Sequence, residues 1–178
     1  GHLFPALAIA EEFKSRHSKA DIFFVGAMGR IEMSKVPKAG YKIIGLWIDG
    51  LQRSLSFRNV MFPVKLLFSL LKSTSILLKF KPDVVVGTGG YASGPLLFMA
   101  SLFKIPTLIQ EQNSYPGITN KLMSKTVNSI AVAYQGLERF FPKKKLNLTG
   151  NPIRKSIAED QLDRSKAKKF FKQVSGFP

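Results

Sequence analysis

The sequence contains no cysteine, which excludes a disulfide framework, thiolate metal sites and cysteine nucleophiles, and fits a reducing compartment. Only two histidines are present, His2 and His17, so a histidine-rich metal site is not expected. No basic segment followed by an apolar stretch and a small-residue cleavage site opens the chain, so no signal peptide is visible; the first residue is glycine, and the true start is expected to lie upstream. Long hydrophobic runs are also lacking. The longest, NVMFPVKLLFSLLKSTSILL at 59–78, is broken by Pro63, Lys65, Lys72 and several serines. It falls short of the roughly 18 to 20 apolar residues that a spanning helix needs. Acidic residues are scarce: 11 Asp and Glu stand against 27 Lys and Arg, a formal net charge of +16. Such an imbalance predicts an anionic partner, whether nucleic acid, a phosphorylated substrate or an acidic membrane.

What remains is enough to fold. In 178 residues, 45% hydrophobic, one substantial core can be buried, so a single domain with a tail is expected. Six short β-rich runs recur at 21–26, 42–48, 83–87, 106–110, 129–133 and 146–150. Between them lie stretches with helical spacing, including 4–17, 63–80, 95–103 and 118–125. Strands that are apolar throughout predict a parallel sheet covered on both faces. The expected fold is therefore α/β, a Rossmann-like doubly wound sheet. After Asn151-Pro152 the texture becomes lysine-rich without strand-like runs, so the sheet domain is placed at 1–150 and a linker at 151–178.

Three turns carry possible chemistry. In GTGGYASGP, residues 87–95, Gly87, Gly89 and Ala92 keep a G-x-G-x-x-A spacing after a strand, and Gly94-Pro95 can open a helix. Backbone amides at such a turn, together with the helix dipole, favour a phosphate. Because Glu111 follows the next strand at a suitable interval, a dinucleotide cofactor is a rival reading, and a tight structural turn is another. Gly1-His2 precedes a helix with Pro5 in its first turn and resembles the end of a second glycine-led turn whose strand is absent; a histidine there suits a general base. In QEQNSYPGITNK, Glu111, Gln112 and Asn113 stand after a strand's carboxyl end, placed to bind hydroxyls or a nucleotide, although Asn113 or Ser114 could instead cap a helix. Loops after parallel strands emerge on one sheet edge, so all three turns can share a cleft.

Arg58, Lys65, Lys72 and Lys79 recur every seven residues and form one helical stripe. Leu67, Leu70, Leu71, Leu77 and Leu78 are expected to face the core, leaving Met61, Phe62, Phe68 and Ile76 beside the lysines. A face mixing lysine with large apolar residues suits a membrane interface. The alternatives are contact with another part of the protein, or a loop that carries Arg58, Met61 and Phe62 off the helix.

Taken together, GH-x-FPALA at the start, KPDVVVGTGGYASGP, EQNSYPGITNK and LTGNPIR at 148–154 closely resemble the MurG family, in the right order over essentially the whole chain. These are peripheral glycosyltransferases on the cytoplasmic face of the bacterial inner membrane, which convert lipid I to lipid II. The resemblance implies the N-terminal half of a GT-B fold. It also implies transfer of N-acetylglucosamine from UDP-GlcNAc to the C4 hydroxyl of the muramyl sugar on undecaprenyl pyrophosphate, with inversion and no cofactor. On that reading Gly87, Thr88, Gly89, Gly90, Tyr91 and Ser93 cradle the acceptor's pyrophosphate. His2 matches the proposed base and Glu111 an acidic residue important to activity; Gly1, His2, Asn113 and Arg154 match positions that meet the UDP-sugar. Arg58, Met61, Phe62, Lys65, Phe68, Lys72, Ile76 and Lys79 resemble the family's docking patch.

Two departures stand out: the front of the first glycine loop is absent, and Gln110 occupies a position where the family often has histidine. Without a donor-binding C-terminal domain, the 178 residues alone are expected to be inactive. The alternative is a noncatalytic membrane-anchoring subunit of a split GT-B transferase. A nucleic-acid partner is not expected, since no reading motif accompanies the charge.

Overall fold

The computed structural model describes residues 2–50 and 60–153. The expectations placed on Gly1, Arg58 and Arg154, and on the linker beyond residue 153, lie outside the described residues. All six expected strands form: β1 (Phe23–Ala27), β2 (Lys42–Leu46), β3 (Val85–Gly87), β4 (Thr107–Glu111), β5 (Ser129–Val132) and β6 (Leu146–Leu148). The helices are α1 (Leu3–Arg16), α2 (Glu32–Lys38), α3 (Phe62–Phe80), α4 (Ser93–Leu102) and α5 (Ile118–Met123). Of these, α2 was not anticipated. Seven residues with Pro37 in the last turn offer too few apolar repeats to show a helical period.

Every strand pairing is parallel, as the apolar runs predict, but the strands form two sheets rather than one. One sheet pairs β1 with β2, Phe23 opposite Lys42 through Ala27 opposite Leu46. The other runs β3-β4-β5-β6. Between β1 and β3 lies a cavity of about 610 Å³, lined by Phe23 and Val25 of β1, Val85 and Val86 of β3, and Ile9 and Phe13 of α1. Its walls are thus apolar strand edges and a helix face.

The main core gathers Leu77, Val85, Leu97, Ile109, Ile130, Val132 and Phe141, drawn from α3, α4, three strands and the segment before β6. A smaller cluster joins Ala27, Leu46, Ile48, Ile76 and Ala92. Burying a leucine or isoleucine at such positions contributes about 1.5–3 kcal/mol each.

Helix α3 departs from the expected rotation. It buries Ser69, Ser73, Ile76 and Leu77, whereas Leu67, Leu71 and Leu78 are exposed. Ile76, expected beside the lysines, is only 7% exposed and belongs to the core. Small serines let the helix approach the sheet closely, and Ser69 Oγ donates to the Trp47 carbonyl at 3.2 Å. Lys65 is also withdrawn from the expected stripe: it pairs with the Asp49 carboxylate, and its side chain is 14% exposed. Lys72, Lys79 and Phe68 do face outward, while Met61 and Phe62 are half-buried at the helix start. Among the described residues, no helix is long and apolar enough to cross a membrane.

Candidate active site

The carboxyl ends of parallel strands bring the three predicted turns together. Thr88 directly follows β3 and holds the turn before α1 at two points. Its hydroxyl donates to the His2 carbonyl at 2.8 Å, and its own carbonyl oxygen lies 2.9 Å from His2 Nδ1. Gln112, beyond β4, places its side-chain amide 2.7 Å from the same Nδ1. His2, the β3 loop and the β4 loop therefore meet at one point.

The Thr88 contact selects a tautomer. A carbonyl can only accept, so it requires a proton on Nδ1. That proton can be shared with Gln112 only if the amide oxygen, rather than its NH₂ group, faces the ring. Gln112 Oε1 is buried without a hydrogen-bond partner. With the proton on Nδ1 toward the Thr88 carbonyl, the His2 Nε2 lone pair is left to accept a proton from elsewhere.

The glycines of the β3 loop have separate reasons. A Cβ on Gly87 would come within 2.5 Å of Leu97 Cδ1, so this glycine serves the close packing of α4 on the strand. Gly89 has φ +100°, and a Cβ there would lie 2.5 Å from His2 Nδ1. The group that approaches Gly89 closely is thus the imidazole. Gly90, with φ +80°, would place a Cβ 3.7 Å from His2 Cδ2, an ordinary van der Waals contact, so its glycine answers to the backbone conformation. Ser93 Oγ donates to the Gly90 carbonyl at 3.0 Å, tying the loop to the first residue of α4. Tyr91 is 46% exposed above it.

Glu111 lies at the carboxyl end of β4. It is fully buried, and both carboxylate oxygens are occupied. Oε1 accepts from the Asn113 backbone N–H at 3.0 Å and from Asn113 Nδ2 at 2.9 Å. Oε2 accepts from the Gly117 N–H at 3.2 Å and from Asn120 Nδ2 at 2.9 Å. A carboxylate so engaged shapes the loop between β4 and α5 and has no oxygen left for a reacting group. Asn113 is held by it and is exposed, and α5 has Gly117, not Asn113 or Ser114, at its amino-terminal cap.

Sequence reasoning gave no role to Asn120 or to Arg30. Asn120 sits one turn into a short helix, and only the fold reveals that it reaches Glu111. Beyond this loop, Lys121 stands 3.8 Å above the Tyr115 ring, which packs edge-on against Phe140. A hydrogen bond to Lys121 and its positive charge lower the Tyr115 pKa, against the small upward pull of desolvation.

Comparison with known proteins fits this arrangement. The glycosyltransferase family 28 N-terminal domain matches residues 1–132. A protein of Flavobacterium psychrophilum named UDP-N-acetylglucosamine--N-acetylmuramyl-(pentapeptide) pyrophosphoryl-undecaprenol N-acetylglucosamine transferase is 58% identical over 97% of this chain and 47% of its own length. The protein of the same name from Cytophaga hutchinsonii is 52% identical over 100% of this chain and 48% of its own. The chain therefore spans about half the length of these relatives. Among solved structures, MurG of Acinetobacter baumannii superposes with a TM-score of 0.70 at 27% identity, covering 92% of this chain and 44% of that one. A UDP-GlcNAc 2-epimerase from Neisseria meningitidis, at 19% identity and a TM-score of 0.63, shares the fold over 97% of this chain and 50% of its own. With its parallel α/β architecture, its converging strand-end turns and a family match over residues 1–132, the chain belongs to glycosyltransferase family 28, as its N-terminal domain.

Proposed function

We propose that this chain is the acceptor-binding half of an inverting N-acetylglucosaminyltransferase of peptidoglycan synthesis, acting on lipid I with UDP-GlcNAc as donor. The observation that carries the reading is His2, held by Thr88 and Gln112 beside Gly90, with Nε2 facing neither of them. The names of the relatives supply the substrates.

In the proposed reaction, His2 Nε2 takes the proton of the muramyl C4 hydroxyl. The oxygen bonds to the anomeric carbon of GlcNAc, and the bond from that carbon to UDP breaks with its electron pair leaving on the phosphate oxygen. Attack opposite the leaving group inverts the anomeric centre. Gly90, Tyr91, Ser93 and the start of α4 receive the acceptor's diphosphate through backbone donors and the helix dipole. Thr88 positions His2, and Gly87 and Gly89 shape the loop. Glu111 is a positioning residue that presents Asn113 to the UDP-sugar, with Gly1 and Arg154 as further donor contacts.

The docking face is rebuilt on the exposed side of α3. Val64, Leu67, Phe68, Leu71 and Leu78 are exposed, with Lys72 and Lys79 along the edge. The neighbouring α4 adds Phe98 and Leu102. Each basic side chain near an anionic surface contributes about 1 kcal/mol, and each large apolar side chain removed from water roughly 1.5–3 kcal/mol. Three or four partial insertions suffice for reversible attachment to the inner leaflet.

Domain limits follow the same reading: 1–150 as the acceptor- and membrane-binding unit, 151–178 as a linker toward a donor-binding domain. The cavity between β1 and β3 fits a further parallel strand running into the His2 turn. Such a strand would join both sheets, and its connection through α1 to β1 would be a right-handed crossover. The 178 residues alone are then inactive.

The test is incorporation of labelled GlcNAc into lipid I by the full-length protein, by its His2→Gln variant and by residues 1–178. Robust lipid II formation by the full-length protein, with at least a hundredfold loss in His2→Gln and none detectable with the short chain, is expected. Full activity of His2→Gln would remove the base from this scheme.

A further inference from the structure

The glycine loop supplies only partial charges to a diphosphate: backbone N–H groups and a helix end equivalent to about half a unit charge. A full cation beside these donors would strengthen the hold on a diphosphate, and several described cations are engaged elsewhere. Lys65 is paired with Asp49. Lys121 and Arg139 stack on Tyr115 and Phe140, past the end of β4. His2 is committed to the hydroxyl proton in the proposed reaction.

Arg30 instead stands over Tyr91, a residue of the loop itself. It stands in the turn after β1, at the carboxyl edge that the glycine loop after β3 also occupies. The turn is fastened by the Arg30 N–H donating to the Ala27 carbonyl at 3.3 Å. The nearest carboxylate in sequence, Glu32, accepts instead from the Ala27 N–H at 3.1 Å. Among the described residues Arg30 has no ion pair. Its guanidinium carbon lies 5.8 Å from the centre of the Tyr91 ring. That ring in turn lies against Gly50, where a side chain would collide with it. Turns following β1, β2 and β3 thus hold Arg30 beside the glycine loop through one aromatic ring.

We propose that Arg30 is the cation that pairs with the acceptor's diphosphate at the glycine loop, with Tyr91 as the platform that positions it. This rests on the acceptor reading of the glycine loop given above. A planar guanidinium can engage two phosphate oxygens at once, which an ammonium cannot, so lysine is a poor substitute. The face of Tyr91 favours the cation while leaving its outer N–H groups free to donate.

The experiment is steady-state kinetics of the full-length protein with lipid I in detergent micelles and UDP-GlcNAc, each varied in turn. For Arg30→Gln the KM for lipid I rises roughly ten- to thirtyfold, with the KM for UDP-GlcNAc unchanged. Arg30→Lys recovers only part of the loss, and Tyr91→Leu, which removes the platform, is intermediate. Raising salt weakens acceptor binding by the parent more steeply than by Arg30→Gln. Thermal denaturation of each variant shows that folding is intact. A lipid I KM within twofold of the parent, or equal rises for donor and acceptor, would overturn the assignment. Gly90→Ala separates the two readings. If it raises the lipid I KM while Arg30→Gln does not, the glycine loop keeps its acceptor and Arg30 loses its role; if neither variant raises it, both fall.

Discussion

The carbonyl oxygen of Thr88 stands 2.9 Å from Nδ1 of His2, across 86 positions of sequence. Because a carbonyl has no proton to give, this contact decides which imidazole nitrogen is protonated, and so which one can act as a base.

Gln112 shares that nitrogen, and Gln112→Glu tests the arrangement. A carboxylate in place of the amide can only accept from Nδ1–H, and should change kcat/KM of the full-length protein with lipid I. His2→Gln should remove roughly 10²- to 10⁴-fold of the rate. An unchanged kcat/KM in Gln112→Glu would mean that Nδ1 does not face this side chain.

Two glycines predict opposite responses in urea denaturation. Gly89→Ala places a methyl group 2.5 Å from His2 Nδ1 on a residue with φ +100°, and should cost about 1–3 kcal/mol. Gly117→Ala has open space and φ −66°. It should be neutral or add up to about 1 kcal/mol by restricting the unfolded chain.

Removing the Glu111 side chain leaves the Asn113 and Gly117 N–H groups and the Asn120 amide without their acceptor. Glu111→Ala should lower stability by about 3–5 kcal/mol. Glu111→Gln, which keeps the shape but turns an acceptor into a donor, should lower it less and raise the KM for UDP-GlcNAc through displacement of Asn113. If Glu111→Gln kept the parent stability and donor KM but abolished turnover, Glu111 would be a catalytic residue after all.

On the outer face of α3, Phe68→Glu and Leu71→Glu should each release the protein from vesicles containing anionic lipid without changing its thermal midpoint. Ile76→Glu should instead unfold the domain, because that side chain lies in the core. Co-sedimentation and thermal denaturation separate the two outcomes. Vesicle binding unchanged in both outer-face variants would place the docking surface elsewhere.

Strand positions and the all-parallel pairing were readable because fully apolar runs of four to six residues flanked by turn residues admit few other structures. The GTGGYASGP turn was equally legible as a strand-to-helix junction. Less legible was the use of its glycines: Gly87 answers to Leu97 and Gly89 to His2, neighbours that no local pattern announces. Asn120 and Arg30 gave no signal, since each acts on a partner brought near by the sheet. Helix α3 shows the limit most clearly. Its 3.6-residue period groups side chains into faces, but leucine occurs nearly all round the helix, so hydrophobicity alone does not choose the buried arc.

By itself the sequence determined the order of strands and helices, the turns at their carboxyl ends and the excess of positive charge, because these follow from local propensity, periodicity and composition. Only the tertiary structure decided that the serine-bearing arc of α3 goes inward, that Glu111 is consumed by the loop it follows and that His2 is locked against Thr88. Each of these outcomes depends on which groups remote segments bring within hydrogen-bond or packing distance, and such energies act over a few ångströms of space rather than along the chain.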